Sequence, residues 1–102
     1  FSYVAHDYLV IPNYYGVDTA VYRWAGSKFE ELQRIPSSGA GSVEVFMMGD
    51  WQMLGIAEFN VGVVAIYRLH GQYPNERFEP WQRINAPGVG AMGTLTIKTD
   101  EG

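Results

Sequence analysis

The chain alternates short apolar runs with clusters of turn-forming residues, and the runs have the length of strands. "SVEVFMM" (42–48) and "TLTIKT" (94–99) are rich in β-forming residues and lie between turn signals. "YLVI" (8–11), "TAVYRW" (19–24), "MLGIA" (53–57) and "VVAIYRL" (63–69) follow the same form. One segment competes for helix. In "SKFEELQRI" (27–35), Phe29, Leu32 and Ile35 recur at three-residue steps, and Ser27 stands three residues before Glu30 as in a capping box.

An internal repeat decides between the two. "VYRWAG" (21–26) returns as "IYRLHG" (66–71), an offset of 66 − 21 = 45. "FEELQRIPSSGAG" (29–41) returns as "FEPWQRINAPGVG" (78–90), an offset of 78 − 29 = 49. The difference is an insertion of four residues, where "QYPNER" (72–77) replaces "SK" (27–28). Upstream, "DYLVIPNY" (7–14) aligns with "QMLGIAEF" (52–59) at the 45 offset, which also sets Phe1 against Phe46. Copies of one unit share one structure, so each arbitrates for the other. The second copy has Pro80 where the first has Glu31, and proline pushes the residue before it toward extended geometry. An edge strand accommodates that proline, and the helix reading loses.

Each copy therefore predicts four short strands: an "xVxVF" strand, an "xLxI" strand, an "xYRx" strand and an "FExxQRI" edge strand. Ala20–Val21–Tyr22 and Val64–Ala65–Ile66–Tyr67 are apolar on both faces, as in a sheet packed between neighbours. Four-stranded sheets stacked face to face are the blades of a β-propeller. The expected fold is all-β: two four-stranded antiparallel propeller blades plus one extra strand. Residues 1–41 form the first repeat, with a shortened inner strand at its start, and 42–90 the second. Residues 91–102 supply the inner strand of a third blade. A chain of two blades presents two apolar outer faces, so on its own it is expected to associate, aggregate or stay partly unfolded.

Composition narrows the function. The net charge is −4, with 7 Lys and Arg against 11 Asp and Glu, which excludes a phosphate-binding surface for nucleic acid. No apolar run reaches the length of a membrane span. The chain has no cysteine, so disulfides, thiolate catalysis and Cys-based metal sites are excluded. It opens on "FSYVAHDYLV", without a starting Met and without a signal-peptide pattern, and is expected to be a piece of something longer.

The pattern "VYRWAGSKFEELQRIPSSGAGSVEVF" resembles the epilepsy-associated repeat, also called the epitempin (EAR/EPTP) repeat, of the leucine-rich glioma-inactivated proteins. The first copy matches at Leu9, Tyr22, Arg23, Trp24, Gly26, Phe29, Gln33, Ile35, Pro36, Gly39, Ala40, Val43, Glu44 and Phe46. The second matches at Leu54, Tyr67, Arg68, Gly71, Phe78, Gln82, Ile84 and Gly88, with Leu69 in place of Trp and Asn85 in place of Pro. The resemblance implies a seven-bladed propeller in an extracellular, secreted protein. It further implies non-enzymatic recognition of protein partners such as receptor ectodomains, with the remaining blades supplied by a longer chain or by oligomerisation. It also raises Ca²⁺ in the central channel, for which Glu44 is the candidate ligand here. Glu44 alone cannot provide the about 6–8 oxygens that Ca²⁺ takes, so other blades would have to contribute.

The remaining candidates have structural explanations. "GVGAMG" (88–93) is a literal G-x-G-x-x-G, but it precedes a predicted strand rather than a helix, which removes the nucleotide reading. Tyr22 and Tyr67, with Trp24 and Leu69, share a strand face and are expected to pack between blades rather than stack on a sugar. Arg23 and Arg68 fall on the opposite face and are expected to pair with Glu or cap carbonyls. His6 and His70 do not repeat in register and read as loop residues, while Asp7, Asp18 and Asp50 read as turn residues. The loop "HGQYPNERF" (70–78) is the natural contact site, with Tyr73 and Arg77 at or near its tip, and is expected to tolerate shortening. A small-ligand or carbohydrate binder, assembled from two-blade chains, is the alternative function.

Overall fold

The structure is a computed structural model and describes residues 3–5, 8–72 and 74–87. Eight strands follow in chain order: β1 (Tyr3–Ala5), β2 (Tyr8–Pro12), β3 (Asp18–Trp24), β4 (Phe29–Pro36), β5 (Ala40–Met48), β6 (Trp51–Glu58), β7 (Val63–His70) and β8 (Arg77–Asn85). They form two four-stranded sheets in the orders β1-β2-β3-β4 and β5-β6-β7-β8. Every pairing joins chain neighbours in antiparallel fashion. The described residues are all-β, and the two sheets stack as blade-like units. The expected strand at 92–98, the glycine segment 88–93, Tyr73, His6, Asp7 and Phe1 lie outside the described residues.

The segment with helical spacing is β4, and its copy is β8. Both pair irregularly with the preceding strand at the same repeat position, between Val21 and Tyr22 in one sheet and between Ile66 and Tyr67 in the other. Val21 pairs with Gln33 and Tyr22 with Glu31, which leaves Leu32 as the extra residue of a bulge. Ile66 pairs with Gln82 and Tyr67 with Pro80, which leaves Trp81. A bulge on an edge strand is where proline is tolerated, because no neighbour requires its amide. The bulge also shifts the alternation, so Phe29 and Ile35 face opposite sides although six residues separate them.

Neither sheet has a core of its own. Tyr8, Val10, Val21 and Ile35 of the first sheet meet Val43, Val45, Leu54, Ile56, Ala65, Tyr67 and Phe78 of the second in one cluster. Val10, Val21, Leu54 and Ile56 are fully buried. Each such aliphatic side chain contributes about 1.5–3 kcal/mol on leaving water. The Tyr8 ring meets the Phe78 ring edge-on, with centroids 5.7 Å apart and planes at 74°.

The faces in contact are not equivalent. The first sheet offers the side that carries Val21 and Arg23, whereas the second offers the side that carries Tyr67 and Leu69. The sheets therefore stack in one orientation, the tyrosine face of one against the arginine face of the one before. Polar groups pin the crossing from β4 to β5. The hydroxyls of Thr19 and Ser37 bond at 2.9 Å, and the buried Glu58 carboxylate accepts from the Ser38 amide at 2.9 Å and from Arg83 Nη1 at 3.0 Å. Gly39 turns there at φ 65°, and its carbonyl accepts from the Phe59 amide at 3.0 Å.

One sequence alignment is corrected. Ala5 pairs with Tyr8 as Phe46 pairs with Met53, so Ala5, rather than Phe1, takes the place of Phe46. The second hairpin then continues through Met47↔Gln52 and Met48↔Trp51, pairs that the first hairpin lacks. The repeat signal was strong in the middle strands, and the first strand's different hairpin length was hidden behind it.

The stacking orientation makes the two repeat tyrosines unequal. Tyr67 is buried against the first sheet, whereas Tyr22 lies half-buried on the outer side. Tyr67→Ala is expected to cost about 3–5 kcal/mol, the range for large aromatic truncations, and Tyr22→Ala less than half as much. Chemical denaturation of both variants checks this, and equal losses would contradict the orientation.

Candidate functional site

The longer loop of the second repeat does more than connect β7 to β8. Gly71 begins it at φ 89°, where a Cβ would meet the Asn75 carbonyl at 3.3 Å, so a side chain there would be both strained and crowded. The Asn75 amide donates to the Gln72 carbonyl at 2.8 Å, which folds the tip back on itself. The short loop of the first repeat closes instead through an Ala25 amide to Lys28 carbonyl bond of 2.8 Å. The added residues carry Glu76 out over the first sheet.

Glu76 is buried and forms the latch between the sheets. Arg23 Nη1 donates to its Oε1 at 2.9 Å, and the Tyr8 hydroxyl donates to its Oε2 at 3.1 Å. Beside it, Gln33 acts as a two-pronged clamp on the main chain of β8. Its Nε2 donates to the Phe78 carbonyl at 2.7 Å, and its Oε1 accepts from the Phe78 amide at 2.9 Å. An edge strand thus receives from a side chain the pair of bonds that a neighbouring strand would give. Charge-assisted bonds of the Arg23–Glu76 kind contribute about 1.5–3 kcal/mol where water is excluded.

The electrostatics follow from this surrounding. Burial pushes the Glu76 carboxyl up, but its own main-chain amide, Arg23 and Tyr8 bond to the ionised form and hold it below the usual carboxylate range. Burial, with the nearby Glu58 charge, pushes the Tyr67 phenol above its ordinary value, partly countered by Arg83. The Arg23 pairing is the role that the sequence suggested for the repeated arginines.

Above the latch the loop is exposed at Gln72, Pro74, Asn75 and Arg77. Arg77 Nη1 donates to the Glu76 carbonyl at 2.7 Å, which ties this contact candidate to the buried base of the loop. Tyr73, the other contact candidate, lies outside the described residues. Glu44 sits on β5 opposite Gly55 and is half-buried. Among the described residues no three His, Cys, Asp or Glu side chains gather to hold an ion, so these residues alone do not fit a Ca²⁺ site.

A second surface was not visible in the sequence. The Arg68 guanidinium lies 4.2 Å from the Trp51 ring centre and 4.6 Å from that of Trp81. Both indoles are about half-exposed, at 51% and 54%. Trp51 stands on the hairpin extension absent from the first sheet, and Trp81 is the bulge residue. Neither position carries a repeat signal, and both depend on register.

The loop cannot be removed as freely as its surface position suggests, because it carries the latch. The Glu76 pKa is lowered on folding, so its contribution is fully present above the unfolded value of about 4.3 and is lost as pH falls through the folded value. Glu76→Gln is expected to lower stability at pH 7 and to flatten the acid limb of the stability profile. Denaturation series between neutral and acidic pH measure both, and an unchanged acid limb would contradict the latch. Shortening the loop to "GSKF" is expected to destabilise the fold at least as much as Glu76→Gln.

Over 50 residues, 49% of the chain, the sequence is 35% identical to leucine-rich repeat LGI family member 3 of Mus musculus. The protein of that name in Macaca fascicularis matches to the same degree. The match spans 9% of the length of each of these curated relatives. No family model matches the chain, and no solved structure matches it. The chain is thus similar, over half its length, to a small part of an LGI family protein.

Proposed function

We propose that the chain is part of an extracellular EAR/EPTP-type β-propeller that recognises other proteins and performs no chemistry. The observation that carries this reading is the β7–β8 loop. Its base is held by a buried ion pair, and its tip exposes polar residues to solvent. A loop fixed at its root loses little freedom on binding, which favours a rigid contact surface. The similarity to part of an LGI family protein and the repeat motif around Tyr22–Arg23–Trp24 and Tyr67–Arg68 support the same class. In this reading a longer chain completes a seven-bladed ring, and the partner is a receptor ectodomain or another extracellular protein that meets Arg77 and Tyr73. Any Ca²⁺ in the channel would take Glu44 together with oxygens from other blades.

The Trp51–Arg68–Trp81 surface favours the second reading, a carbohydrate binder, because exposed indoles stack on sugar rings. A photo-crosslinking residue at position 77 separates the two when the protein is mixed with purified receptor ectodomains. The expected result is a covalent adduct that free sugars do not suppress and that the Tyr73→Ala variant weakens. Absence of any adduct, together with saturable sugar-dependent change in tryptophan fluorescence, would favour the carbohydrate reading instead.

A further inference from the structure

The two sheets have a second end, away from the latch and its loop. The β2–β3 loop (13–17) and the β6–β7 loop (59–62) both lie where the chain crosses from β4 to β5, opposite the β7–β8 loop. They stand side by side. The Tyr14 ring meets the Phe59 ring edge-on, with centroids 6.1 Å apart, and the Tyr15 ring at 5.0 Å. At the 45 offset Tyr14 aligns with Phe59, so both copies put an aromatic ring at this point of the rim.

Turns ordinarily expose polar residues, and these two do the reverse. Neither loop contains a charged residue. Tyr15 is 96% exposed, Val17 80%, Val61 52% and Tyr14 46%. The polar side chains of the loops, Asn13 and Asn60, lie against Gly16 and Gly39. Main-chain bonds hold the tips in place. The Gly16 amide donates to the Asn13 carbonyl at 3.1 Å, the Val61 amide to the Glu58 carbonyl at 3.3 Å, and the Ser37 amide to the Val17 carbonyl at 2.9 Å. Apolar side chains therefore project from a fixed base, which keeps the entropy lost on docking small.

We infer that this rim is a docking surface for a zwitterionic lipid bilayer of the phosphatidylcholine type. Side chains that project singly suit a soft surface they can enter, whereas the anchors of a protein interface fill well-packed pockets. Tyrosine suits the membrane–water boundary, with its ring toward the acyl chains and its hydroxyl among the headgroups. Its ring face also attracts the quaternary ammonium of choline. The valines add apolar area beside the rings. Anionic bilayers attract basic segments, and loops without Lys or Arg on a chain of net charge −4 offer them nothing. The rim lies apart from the contact between the sheets, and the inference is independent of what the β7–β8 loop recognises.

Flotation of the full chain with phosphatidylcholine vesicles on a density gradient tests this, because aggregates sink while lipid-bound protein rises. The parent is expected to float equally at low and high salt, since no surface charge is involved. Tyr15→Ser with Val61→Ser is expected to lower vesicle affinity about tenfold, the effect of no longer burying two exposed apolar side chains. Tyr15→Trp keeps an interfacial ring and should float at least as well as the parent. Trp24→Ser removes an exposed ring at the opposite end of β3 and should float as the parent does. A parent that stays in the dense fractions would overturn the proposal, as would an equal loss in Trp24→Ser. So would a photo-crosslinking residue at position 15 that labels a second copy or a receptor ectodomain but no lipid.

Discussion

Each sheet depends on the other for a core. The middle strands of both sheets are apolar on two sides, and a four-stranded sheet of this kind cannot hide either side by itself. One side of each is covered where the sheets meet, with Val10 and Val21 facing Leu54 and Ile56. Close approach of two edge strands at the margin of that contact then raises a polar problem, since the Phe78 main chain and the Arg23 guanidinium leave water together. The Gln33 clamp and the Glu76 carboxylate answer it, the first by bonding the Phe78 amide and carbonyl and the second by accepting from Arg23 Nη1.

From that contact the orientation of the repeats follows. A stack in which tyrosine faces meet arginine faces can continue in both directions, unlike a closed two-fold pairing, in which identical faces meet. Tyr22 and Trp24 on one end, and Trp51, Trp81 and Ile84 on the other, remain partly exposed for this reason. Function in such a stack belongs to what the loops and outer faces present, since the scaffold itself is common to many activities. The loop that makes the latch also exposes Gln72, Pro74, Asn75 and Arg77 to solvent.

Much of this architecture was legible in the sequence. Two copies of one pattern overrode a local helical spacing, and Pro80 identified the edge strand. Alternation along "VYRW" and "IYRL" put the tyrosines and arginines on opposite sides, which is how the sheets use them. The latch was less legible, because Glu76 sits in the insertion that only one copy has, where repetition gives no signal. The Trp51–Arg68–Trp81 group escaped for a different reason. It depends on a hairpin extension and a bulge, and both are matters of pairing register rather than of residue type.

The claim on which the rest turns is that Arg23 and Glu76, 53 residues apart, join the sheets across a shared interface. A double-mutant cycle with Arg23→Met and Glu76→Gln, read by chemical denaturation at neutral pH, tests it directly. The account expects a coupling of about 1.5–3 kcal/mol, as for a hydrogen-bonded charge pair shielded from water. Single-variant losses that add to within about 0.5 kcal/mol would show that the two side chains do not act on each other, and would contradict the stacking described above.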